Sequence, residues 1–157
     1  MSTLVLGIGN SLLTDEGIGV HVVTFLKYHH GGLRDVEFLD GGTLSFTLAD
    51  DIARSGNLIV VDAARMGEAP GTVKCFLDTD MDRYLSAAQA SVHEVGLGDL
   101  LDIARLTDTL PQRRALVGIE PESLDWGDRP TPRVAEAITS AAQQVLVLLQ
   151  QWNEKDY

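Results

Sequence analysis

Four carboxylates and one histidine carry the chemistry that this sequence could perform. Asp15 and Glu16 follow a glycine turn in "LGIGNSLLTDEGIGV", Asp40 closes "EFLD", Asp62 closes "NLIVVD", and His93 stands in "SVHEVGLGDLL". Glu16, Asp62 and His93 together offer two oxygens and one nitrogen to a borderline divalent ion such as zinc or nickel, with coordination positions left for water or a partner. Ser91 and Glu94 have capping-box spacing, which puts His93 in the first turn of a helix. There the positive end of the helix dipole disfavours imidazolium and keeps the ring neutral, as a metal requires. Each residue also has a plainer reading. First-turn acids such as Asp15 and Glu16 are stabilised by the dipole by roughly 0.3–1 kcal/mol each, Asp62 can cap a turn, and a first-turn histidine can simply face solvent.

Other chemistries fail on spacing. Gly7 and Gly9 match the first two glycines of the dinucleotide fingerprint, but Leu12 holds the third position and a pyrophosphate would meet Asp15 and Glu16. A Walker A loop would need a lysine followed by serine or threonine, which this turn lacks. "HEVGL" ends on Leu97 where a two-histidine zinc helix requires its second histidine. Ser11 is followed by Leu12 and Leu13, so there is no nucleophile elbow. Cys75 alternates with Val73 and Leu77 and reads as a core residue. His29 and His30 near a helix end read as solvated, and His21 lies five residues from Glu16, off its helical face.

The elements that must position these residues follow from periodicity. Short apolar runs alternate with helix-patterned segments, the signature of βαβ units and a mostly parallel sheet. Five strands are expected at Leu4–Gly9, Val36–Asp40, Leu58–Asp62, Val73–Leu77 and Ala115–Ile119. Helices are expected over Glu16–Tyr28, Leu44–Arg54, from near Ser91 onward, and over Pro132–Trp152, the last opening on the Thr131-Pro132 pair suited to an N-cap and first helical residue. In a parallel sheet the carboxyl ends of the strands share one edge, where ligands bind. The glycine turn, Asp40 and Asp62 therefore converge from distant parts of the chain.

With 157 residues, no repeat and no long linker, residues 1–157 are expected to form a single domain. A chain of this size buries roughly 70% of its unfolded surface and needs no disulfide or structural metal to fold. The net charge of −11, from 23 acidic against 12 basic residues, opposes attraction to nucleic acid or an anionic membrane. A basic or metal-bearing protein partner suits it better. One cysteine, no membrane-spanning apolar run and no signal-like N-terminus lead to the expectation of a cytoplasmic protein.

Taken in order, "GIGNSLLTDEGIGV", "FLDGGT", "VVDA", "APGTV", "SVHEVGL", "LVGIEPESL" and "TPRV" make the chain resemble the hydrogenase maturation proteases along nearly its whole length. These endopeptidases trim the large subunit of nickel-iron hydrogenases. The resemblance implies an α/β fold of three layers, a twisted, mostly parallel five-stranded sheet flanked by helices on both faces. It implies an aspartyl-type endopeptidase in which Glu16, Asp62 and His93 contact metal and Glu16, Asp62 and Asp40 serve catalysis or substrate contact. The metal implied is nickel already installed in the large-subunit precursor, with zinc or cadmium able to occupy the site in vitro. Cleavage then releases a C-terminal extension once nickel is inserted. A non-hydrolytic metal-binding chaperone for hydrogenase maturation could use the same ligands, and a nucleotide-binding module could use the glycine turn.

Overall fold

The computed structural model describes residues 2–87 and 96–155. Strand β1 (Thr3–Ile8) leads through a 3-10 turn (Thr14–Gly17) into α1 (Ile18–His30), followed by β2 (Val36–Gly42), α2 (Leu48–Ala53) and β3 (Asn57–Ala63). Then come β4 (Val73–Leu77), α3 (Thr79–Ala87), α4 (Leu97–Leu106), β5 (Arg113–Ile119) and α5 (Pro132–Lys155). The sheet order is β2-β1-β3-β5-β4; β2, β1, β3 and β5 run parallel, and β4 pairs antiparallel with β5. The expected five-stranded, mostly parallel α/β fold is present.

The three central strands are apolar on both faces, as a sheet covered on both sides requires. On one face Val5, Ile59, Val61, Val117 and Ile119 pack against α1 and α5. The last helix presents Val134, Ala137, Ala141, Val145, Leu148 and Trp152, spaced three or four residues apart, as one buried stripe. On the other face Leu4, Leu6, Leu58, Val60 and Leu116 meet Ile52 of α2, Met81 of α3 and Leu100 and Leu101 of α4.

Three differences from the sequence expectations bear on the site. The segment carrying Asp15 and Glu16 is a 3-10 turn, and α1 begins only at Ile18. Helix α3 was not expected; it buries a single side chain completely, Met81, so its apolar pattern is faint. Helix α4 starts at Leu97, with Gly96 extended before it and the Gly96 N–H donating to Asp99 Oδ2 at 2.9 Å. The expected start near Ser91, the Ser91–Glu94 pair and His93 itself lie outside the described residues.

Candidate functional site

The carboxyl ends of β1, β2 and β3 do form one edge. Gly7 of β1 is in register with Asp40 of β2 and with Val61 of β3, so Asp62 stands one residue beyond that level. Alternation then separates the two aspartates. Asp40 has the parity of Phe38, on the α1/α5 face, whereas Asp62 has that of Val60 and Leu58, on the α2/α3/α4 face. Strand β1 also lies between them, which sets their backbones roughly 10 Å apart. Asp40 is exposed, and its Oδ1 accepts the Gly42 N–H at 2.8 Å.

Glu16 and Asp62 are brought together, and two glycines make this possible. Gly9, at φ +141°, lets the 3-10 turn fold back on the end of β1: a Cβ there would lie 2.0 Å from the Glu16 carbonyl oxygen. Gly19 lets α1 sit on the strand ends, where a Cβ would lie 2.1 Å from the Val61 carbonyl oxygen. The Glu16 carboxylate closes the turn by accepting the Asn10 N–H at 2.7 Å through Oε2. The glycine turn thus cradles its own glutamate.

Burial pushes the Asp62 carboxyl well above the ordinary carboxylate range, the negative charge of Glu16 pushes it further, and a bond from the Ala63 N–H opposes both. A like-charge pair at the mouth of a strand edge is the donor chemistry that a divalent cation relieves. Among the described residues no three His, Cys, Asp or Glu side chains are grouped to hold an ion. His93, the expected nitrogen donor, lies outside them.

Two residues at this edge, Tyr84 and Glu120, escaped the sequence reading, and the part played by a third, Asp15, differs from the one expected. The Tyr84 phenol of α3 is raised by burial and by the charges of Asp62 and Glu120; it donates to the Arg65 carbonyl at 3.2 Å, and its ring stacks on Phe76. Glu120 is buried directly after β5 and holds the loop beyond Asp62 by accepting the Met66 and Glu68 N–H groups at 2.8 and 2.9 Å. An acid at the end of an apolar run, the signal that singled out Asp62, was available for Glu120 too. Asp15 is wholly buried and is not a first-turn acid of α1: its carboxylate accepts the N–H groups of Glu122, Ser123 and Thr131. Burial alone would raise it, but these bonds and the Thr131 hydroxyl outweigh burial and hold it below the usual range.

The sequence model of the hydrogenase maturation protease family matches residues 20–148. The chain belongs to that family. It is 41% identical over 152 residues to the hydrogenase 2 maturation protease of Escherichia coli strain K12, covering 96% of this chain and 92% of that protein. It is 38% identical over 150 residues to the hydrogenase expression/formation protein HupD of Thiocapsa roseopersicina, covering 95% and 68%. The fold superposes on the hydrogenase maturating endopeptidase HybD from Escherichia coli with a TM-score of 0.90 at 40% identity, over 96% of this chain and 93% of that one. This maturation protease is therefore a peptide-bond hydrolase, which decides between hydrolysis and a carrier role. No helix among the described residues is long and apolar enough to cross a membrane.

Proposed function

We propose that this maturation protease removes the C-terminal extension of a nickel-iron hydrogenase large-subunit precursor after nickel insertion. Glu16, Asp62 and His93 contact the nickel carried by that substrate. The observation that carries the reading is the coupling of Glu16 to Asp62 at the sheet edge, a pair of carboxylates whose repulsion a cation offsets. Their oxygens come from separate elements and are held by a backbone N–H and by burial, so the pair is preorganised to grasp an ion that arrives already partly coordinated. Zinc or cadmium would occupy the same donors in vitro.

Asp40, exposed on β2 across β1 from this pair, meets the peptide segment flanking the nickel rather than the nickel itself, and serves there as a base or a substrate contact. The Asp62 carboxyl, biased toward its protonated form by burial and by Glu16, gives up that proton when a cation binds, so the pair engages the substrate fully only once nickel is in place.

Mass spectrometry of the precursor's C-terminus tests this. The chain should shorten nickel-loaded precursor and leave nickel-free precursor at full length. Glu16→Gln or Asp62→Asn should abolish the shortening, and calorimetry with cadmium should show weakened binding in His93→Ala. Equal cleavage of the two precursors would sink the nickel checkpoint.

A further inference from the structure

The loop after β1 and the loop after β5 are zipped together beside the turn that carries Glu16. Leu13 and Gly127 form a parallel bridge; the Gly127 N–H donates to the Leu12 carbonyl at 2.9 Å, and the Thr14 N–H to the Gly127 carbonyl at 3.0 Å. The Thr14 hydroxyl donates to the Ser123 carbonyl at 2.6 Å, and the Asp15 carboxylate pins Glu122 and Ser123 from beneath. These contacts fix the backbone without covering its apolar side chains. Leu12 is 57% exposed, Leu124 38% and Trp126 80%.

A chain of this composition has only two tryptophans, and it buries the other, Trp152, against the core. Holding Trp126 and two leucines in water on a rigid platform brings no stability to the isolated fold, since their transfer energy is realised only when something covers them. Large aromatics on preorganised backbone are what interfaces use as anchors. Exposed carboxylates of Glu122, Asp125 and Asp128 surround the platform, and Arg129, 3.5 Å from Asp128, is the one cation in that stretch. The charge favours a basic border on whatever docks. The location favours the substrate, because Leu12 lies in the loop that runs from β1 directly into the 3-10 turn bearing Glu16.

We propose that Leu12, Leu124 and Trp126 form a docking surface for the folded body of the large-subunit precursor, receiving an apolar element bordered by lysine or arginine side chains. This rests on the substrate assigned above and adds where that substrate is gripped away from the scissile bond. The contact supplies binding energy equally to the bound substrate and its transition state, and so brings the nickel and the C-terminal segment to Glu16 and Asp62 without altering the step on the bound substrate.

Steady-state cleavage of purified nickel-loaded precursor by the full-length chain is the test. Trp126→Ala and Leu12→Ser should each raise KM about tenfold with kcat within about twofold of the parent. Trp126→Phe should recover most of the loss, since it keeps an aromatic anchor. Leu106→Ser, at an 88% exposed leucine ending α4 at the opposite edge of the sheet, should change neither constant. Raising salt from about 0.05 to about 0.5 M should increase KM for the parent. A parent-like KM in the Trp126→Ala, Leu12→Ser double variant would overturn the docking surface while leaving the substrate assignment standing. A parent chain that leaves loaded precursor uncut would overturn the substrate assignment, and the docking surface with it.

Discussion

The Asp15 carboxylate accepts the Thr131 N–H at 2.7 Å and the Thr131 hydroxyl at 2.8 Å, across 116 positions of sequence. The turn bearing Glu16 is thereby tied to the residue that precedes α5, and through Glu122 and Ser123 to the loop after β5. Removing this carboxylate strands three backbone donors. Asp15→Ala should cost about 3 kcal/mol or more of unfolding free energy, from roughly 1–3 kcal/mol per buried group left unpaired. Urea denaturation measures it, and a loss under about 1 kcal/mol would mean that water replaces the carboxylate.

The same residue sets an acid limit on stability. Its folded pKa lies below the unfolded value of about 3.9. Its contribution is therefore fully present above the unfolded pKa and is lost as pH falls through the folded one. Asp82 adds the same sign: hydrogen bonds from Arg114, at 3.0 and 2.6 Å, are the chief cause that lowers it. Asp62 has the opposite sign, because its raised pKa means that protonation relieves the folded state, and it does so above the ordinary carboxylate range. Urea midpoints followed below about pH 4 should fall steeply in the parent and flatten in Asp15→Asn.

Gly19 decides how closely α1 approaches β3. With a Cβ placed 2.1 Å from the Val61 carbonyl and 2.5 Å from that of Ile8, Gly19→Ala forces the helix off the strand ends that carry the site. A loss of about 3 kcal/mol is expected, at the upper end of overpacking costs. Gly32→Ala, with nothing within 4 Å of its Cβ, should be close to neutral. Comparable losses at the two positions in thermal melts would contradict the packing argument.

Cys75 is half-buried on β4 against the α1/α5 core, and burial raises its thiol despite a hydrogen bond involving Gln144. A thiol held protonated is a poor nucleophile. Cys75→Ala should leave the cleavage rate within about twofold and cost roughly 1 kcal/mol of stability. Loss of cleavage with an unchanged circular dichroism spectrum would make the thiol a participant.

Much of this architecture was legible in sequence because its signals are local. The strand runs around Val5, Ile59 and Val117 and the apolar stripe of α5 are patterns of periods two and 3.6, which report burial wherever the elements finally sit. Parallel connectivity followed from their alternation, and with it the edge that gathers Glu16, Asp40 and Asp62. Helix α3 stayed hidden because Met81 is its one fully buried side chain, and a solvated helix leaves little periodic trace. What each carboxylate does was decided only by tertiary structure. Asp15 and Glu16 are neighbours in sequence, yet the 3-10 turn sends one into the interior to bind Glu122, Ser123 and Thr131 and the other to the strand edge beside Asp62. Asp40 and Asp62 lie near the carboxyl ends of their strands, yet a one-residue difference in register puts them on opposite faces. Residue type and spacing determine that acids gather at an edge; register, close backbone approach at Gly9 and Gly19, and the desolvation each carboxyl meets there determine which acids share a charge and which tie the fold together.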